Sequence, residues 1–165
     1  MRRSIRILAA GLGLAIAGTL TAAPANAYNP GYYPVPYSDT IYRHTHTSTT
    51  SYTWAATYAE WSGDGSPAPA AAPVSYVKYP WSSTIYAVSF FGPNRAEWVW
   101  NTLTFDQWTR AGRPAAVNAT WIQGSVFYKY ASNPSEVFVE VPPNPIAHKL
   151  TLSEWQAAGS PGPIP

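Results

Sequence analysis

The sequence predicts a β-rich α+β fold of three tandem modules, each about 40–47 residues long and each a small β-hairpin or meander followed by a short capped helix. Three observations predict it. A sixteen-residue phrase occurs three times, as ATYAEWSGDGSPAPAA at 56–71, LTFDQWTRAGRPAAVN at 103–118 and LTLSEWQAAGSPGPIP at 150–165, at a spacing of 47 residues. Between the copies lie runs of β-branched and aromatic residues that alternate as strands do. Cysteine is absent while the chain carries eight Trp, twelve Tyr and five Phe, so stability rests on aromatic burial and not on disulfides.

Aligned on its tryptophans, the phrase reads T-x-x-[EQ]-W-x-x-x-G-x-P. The constant residues are Thr57, Glu60, Trp61, Gly65 and Pro67, then Thr104, Gln107, Trp108, Gly112 and Pro114, then Thr151, Glu154, Trp155, Gly159 and Pro161. Thr followed three residues later by Glu or Gln is a capping box, which satisfies orphan N–H groups at a helix start. Gly four residues after the Trp suits a left-handed C′ position, and Pro two further on stops the helix. The spacing therefore predicts two-turn helices over 105–111 and 152–158, with a weaker first copy. Leu103 and Leu150 sit where a hydrophobic staple would reach the Trp, which makes the three Trp core staples. Ala56 fills that place in the first copy. Helices this short are marginal alone and must dock on something.

They dock on strands. Thr40-Ile41-Tyr42, Thr84-Ile85-Tyr86 and Ser125-Val126-Phe127 read as three versions of one strand opening. Second strands follow at 51–54, 96–100 and 136–141, and 146–150 adds a third before the last helix. Pro93-Asn94 and Asn133-Pro134 mark the turns. On this alignment Trp98 and Trp100 match Val137 and Val139 and face inward. The organisation is a leader at 1–27, a Pro/Tyr-rich extended segment at 28–36, module one at 37–67, a Pro/Ala linker at 68–75, module two at 76–115 and module three at 118–165.

The leader reading rests on Arg2, Arg3 and Arg6, an apolar run over 7–20 and the cleavage pattern Ala25-Asn26-Ala27. The run falls short of the ~20 residues a membrane helix needs. It predicts a secreted protein cleaved after Ala27, by general secretion or by the twin-arginine route. Without the leader, seven Lys/Arg stand against eight Asp/Glu, so the basic balance of the whole chain belongs to the leader. Nucleic-acid binding and a polybasic membrane-surface role lose their electrostatic support.

The stretches SEVFVEV at 135–141 and HKLTLSEWQAAGSP at 148–161 resemble tandem modules of secreted actinobacterial proteins, written S-x-E-V-F…H-K-L-T-x-x-E-W-x-A-A-G. AEWVW at 96–100 with LTFDQWTRAGRP at 103–114 carries the likeness in part. The resemblance implies export and a repeat fold, and brings no activity with it.

Candidates for chemistry are few. Glu60 and Glu154 correspond to Gln107, so a capping role fits all three and general acid–base catalysis does not. His44 and His46 share a strand face without a nearby carboxylate to complete a metal site. Tyr32, Tyr33, Tyr76, Tyr79 and Tyr130 lie outside the repeated frame and are the candidate surface-binding aromatics. No catalytic, cofactor-binding or metal residue is expected. The function expected is a non-enzymatic binder of cell envelope, extracellular polysaccharide or another secreted protein. The alternatives are a lectin-like pseudo-threefold trefoil and a small secreted hydrolase using Asp39, Asp64, Glu97 or the histidines.

Overall fold

The computed structural model describes residues 29–92 and 95–164. The expected leader and the Pro93-Asn94 turn lie outside the described residues.

Among the described residues the protein is β-rich, with three sheets, antiparallel but for one added strand in the second, and three short α-helices. The first sheet is β1 (Gly31–Pro34), β2 (Ile41–His46) and β3 (Ser51–Ala55), in that spatial order, and helix α1 (Tyr58–Gly63) follows. The second holds β4 (Val74–Lys78), β5 (Tyr86–Phe90) and β6 (Trp98–Thr102), followed by α2 (Phe105–Arg110). Strand β7 (Val117–Asn118) then adds to β4 in parallel. The third is β8 (Val126–Tyr130), β9 (Asn133–Val141) and β10 (Asn144–Lys149), followed by α3 (Leu152–Ala157). The sheets do not close into a barrel, so the trefoil arrangement is not the one found.

Two details of the strand reading are corrected. Strand β1 lies within 28–36, where only extended chain was expected, and β4 begins inside the 68–75 linker. The other concerns which strand is equivalent to which. The residue before each helix cap donates its N–H to Ile41 (from Ala56, 2.8 Å), Ile85 (from Leu103, 2.9 Å) and Val137 (from Leu150, 2.9 Å). Val137, in β9, therefore takes the place of Ile41 and Ile85. Ser125-Val126-Phe127 instead opens β8, which holds the place of β1 and β4. Trp98 and Trp100 pair with Phe90 and Val88, so their counterparts lie in β10 and not at Val137 and Val139. Both are half-buried against the core, as expected of inward side chains.

The sheets stack face to face with the second in the middle. Every residue of β5 is buried. Tyr86, Val88 and Phe90 join one apolar cluster with Phe127 and Val139 of the third sheet and Leu150 just after it. Ala87, on the opposite face, joins another with Tyr33, Tyr42 and Phe91. Such double burial requires a nearly unbroken apolar strand, which Tyr86-Ala87-Val88-Ser89-Phe90-Phe91 supplies.

After each helix the backbone returns to the first strand of the preceding sheet. Ala70 and Ala72 donate to Tyr32 and Pro34 of β1 at 2.9 and 3.1 Å, and Ala119 donates to Lys78 of β4 at 2.8 Å. Ile164 donates to Phe127 of β8 at 2.9 Å. The edges of β1, β4 and β8 are thus covered by the chain itself.

Candidate functional site

All three helices are built by the same bonds. The N-cap hydroxyls of Thr57, Thr104 and Thr151 each accept from the backbone of Glu60, Gln107 and Glu154 at 3.2 Å. The three side chains reach back to the cap N–H at 2.7, 2.9 and 2.7 Å. At the far end Gly65, Gly112 and Gly159 adopt φ of +83, +84 and +80°, the left-handed conformation that favours glycine. The next residues, Ser66, Arg113 and Ser160, donate back to the Trp carbonyls at 3.0, 3.0 and 2.9 Å, completing a Schellman motif. The indole N–H of Trp61, Trp108 and Trp155 then donates to the carbonyl of Pro67, Pro114 and Pro161, at 3.0 Å in each. The proline does more than end the helix. It fixes a carbonyl that latches the tryptophan.

That latch holds the Trp rings at half-burial and not in the deep core, which refines the staple expectation. Trp108→Ala should therefore cost about 2–3 kcal/mol, less than a fully buried aromatic. Urea denaturation of the variant checks it.

The caps also make a pH prediction. Glu60 and Glu154 are held below the usual carboxylate range, first by the backbone N–H of Thr57 and Thr151 respectively. Because the folded pKa is depressed, the stabilisation is present above the ordinary carboxylate value. It is lost as pH falls through the depressed one. Gln107 does not titrate in that range. Acid titration should shift the amide resonances of Thr57 and Thr151 and leave that of Thr104 in place.

One repeated feature lies outside the buried clusters. The first residue of each helix is apolar and exposed: Tyr58 at 77%, Phe105 at 67% and Leu152 at 67%. In the first two helices the exposed ring flanks the latched Trp, Tyr58 at 5.7 Å from Trp61 and Phe105 at 5.8 Å from Trp108. Sequence reasoning missed it, though the signal was present as an apolar residue directly after every cap threonine.

Beside α2 this ledge borders a groove of about 480 Å³ lined by Ser83, Ile85, Leu103, Thr104, Phe105 and Trp108. Beside α3 a groove of about 250 Å³ is lined by Ser135, Val137, Leu150, Thr151, Leu152 and Trp155. Residue for residue these are the same places, counted from Trp108 and Trp155 and from Ile85 and Val137. At the first helix the corresponding positions include Asp39, Ile41, Thr57, Tyr58 and Trp61, and there Asp39 pairs with Arg110 of α2. The larger groove continues past Thr84 and Asn144 into a hollow of about 170 Å³ bounded by Trp81 and His148.

The aromatics expected at the surface divide. Tyr32, Tyr33 and Tyr79 are buried, which corrects their expected exposure. The Arg43 guanidinium covers the Tyr32 ring at 4.5 Å. Tyr33 packs in the cluster between the first two sheets. Tyr79 lies under Trp81, their rings stacked at 4.5 Å. Tyr76 is half-buried against the same cluster as Tyr33, and Tyr130 is exposed.

The polar candidates are engaged elsewhere. His44 is buried, bonded to Thr53 at 2.8 Å and stacked on Phe91, whereas His46 is exposed. His148 stacks on Trp81 at 5.7 Å and reaches Glu154 at 3.4 Å. Asp64 binds Arg43 at 2.8 Å. Among the described residues no three His, Cys, Asp or Glu side chains cluster as metal ligands. Compared with protein-family models, curated proteins and solved structures, the chain matches none of them, and the case for its function rests on these side chains alone.

Proposed function

We propose that the chain is an exported, non-enzymatic array of three tandem modules that binds a polysaccharide of the cell envelope or the extracellular matrix. Residues 1–27 act as the leader and are removed after Ala27. Each module comprises three strands, a capped helix and the returning segment.

The observation that carries the reading is the recurrence of one groove beside α2 and α3, with an exposed apolar ledge and a half-buried tryptophan at each. Phe105 and Leu152 stand outside both buried clusters and are exposed beside the grooves. Ligand sites are apolar concavities with a few hydroxyl or amide groups for orientation, and Ser83 and Ser135 supply hydroxyls here. A repeated subsite suits a repetitive ligand. Weak sites linked on one scaffold gain avidity of roughly 10²–10⁴ over a single site.

The test is retention of residues 28–165 on purified sacculi and a panel of insoluble polysaccharides, with salt varied. Retention that survives high salt and falls at least tenfold in Phe105→Ala/Leu152→Ala supports the reading. Retention unchanged in that variant overturns the grooves as the site. No retention on any polymer overturns the polysaccharide and leaves a protein partner as the ligand.

A further inference from the structure

The two internal junctions of the stack follow one rule. At the first, the face of the first sheet that bears Tyr42 and His44 meets the second sheet. Phe91 packs on both rings, at 6.1 and 5.4 Å. Asn101 of β6 donates to the hydroxyls of Tyr37 and Tyr42 at 2.9 and 3.1 Å. At the second junction, the face that bears Tyr86 and Val88 meets the third sheet, and His148 of β10 stacks on Trp81. Asn101 and His148 each stand seven residues before a latched Trp. Tyr37 and Trp81 each stand four residues before Ile41 and Ile85. Both junctions therefore join the same side of one sheet to the same opposite side of the next.

A stack with one sense of growth ends in two unlike faces. On the outer face of the first sheet, α1 covers the Tyr32–Arg43 corner, where Asp64 binds Arg43. Tyr52 and Trp54 remain exposed, at 53% and 40%. Trp54 stands seven residues before Trp61, the place from which Asn101 and His148 hold a neighbour. On the outer face of the third sheet, Phe138 lies in register with Tyr128 and Lys149, in the place of Tyr42 and Tyr86. The exposed Tyr130 packs edge-on to it at 4.9 Å. Charge does not set the two faces apart: Arg43 is bound by Asp64 on the first, where the Trp54 indole N–H also donates to Glu60 at 3.3 Å, and Lys149 is bound by Glu136 on the other.

We propose that these two faces dock on each other between copies of this chain, extending the stack head to tail with Trp54 and Tyr52 of one copy against Phe138 and Tyr130 of the next. A second copy is the occupant that the rule selects, because it carries the missing half of a junction on its opposite end and so continues the two junctions already present within the chain. Two different surfaces on one molecule make a heterologous contact, which propagates as an open chain or closes as a ring. The inference rests on the sheet stack and is independent of the polysaccharide, whose binding is read in a separate assay.

Sedimentation velocity on the purified mature chain tests it, with concentration varied. The wild type should sediment faster as concentration rises. Trp54→Ser and Tyr130→Ser, each of which removes an exposed ring from one of the two faces, should each weaken association at least tenfold. A one-to-one mixture of the two keeps a single intact pair of faces and should form a dimer and nothing larger. Near-ultraviolet circular dichroism identifies a variant that fails to fold, and Trp54→Ala and Tyr130→Ala then replace the pair. A wild type that stays monomeric at every concentration overturns the proposal. So does a single variant that still associates fully, or a mixture that stays monomeric.

Discussion

Phe91→Ala should destabilise the protein by about 3–5 kcal/mol, the range for removing a fully buried aromatic ring. The ring is fully buried between the first and second sheets. It lies 5.4 Å from Tyr33, 5.4 Å from His44 and 6.1 Å from Tyr42, three side chains of the first sheet. Ala87, the other second-sheet member of this cluster's buried core, is small. Val74, Tyr76, Val99 and Leu103 pack against the same cluster, and how far they close on the cavity sets where in the range the loss falls. Urea denaturation followed by near-ultraviolet circular dichroism measures it, and Phe91→Leu should recover most of the loss. A fall below roughly 1 kcal/mol would mean that another contact holds this junction.

The second large effect is at Tyr79, where two substitutions separate ring from hydroxyl. Tyr79→Ala should cost about 3–5 kcal/mol, because the buried ring stacks on Trp81 at 4.5 Å and meets Phe127 edge-on at 6.4 Å. Tyr79→Phe keeps the ring and should still cost about 1–3 kcal/mol. The phenol oxygen accepts from the Ile122 backbone N–H at 3.1 Å and its proton goes to Ser125 at 3.0 Å. Burial pushes the hydroxyl pKa up, so the phenol stays neutral and keeps both roles. Ser125→Ala leaves the Ile122 bond in place and should cost less than Tyr79→Phe. Equal losses in both would show that the Ser125 bond dominates.

The helices were legible in the sequence because every determinant lies within one eleven-residue stretch. Thr104, Gln107, Gly112 and Pro114 satisfy backbone groups near at hand, and their order alone specifies the turn at each end. The sheets were less legible because pairing is set between distant residues. Val137 follows Ile85 by 52 residues, while Ile85 follows Ile41 by 44 and the helices keep a spacing of 47. A constant frame of 44 or 47 residues from Ile85 falls at 129 or 132 and misses Val137, and the look-alike Ser125-Val126-Phe127 nearby matches the strand opening instead. Tyr32, Tyr33 and Tyr79 lie outside the repeated frame, and nothing local tells which face of a strand a neighbouring sheet will cover. The candidate site was half visible. Its caps and Trp residues stood in the phrase, but the groove walls at Ile85 and Val137 come from strands whose equivalence only the fold reveals.

The returning segments have a consequence for how such a chain can change in length. Residues 70–72 lie beside β1, 117–119 beside β4 and Ile164 beside β8, so the backbone leaves each sheet–helix unit where it entered. Entry and exit at one place mean that a unit can be duplicated or deleted by joining two nearby ends, with no long connection to close. A duplication or deletion with its ends in the recurring phrases would cut at those joints. The number of sheets is then the property of this architecture most open to change over generations, and the bonds inside each unit the least.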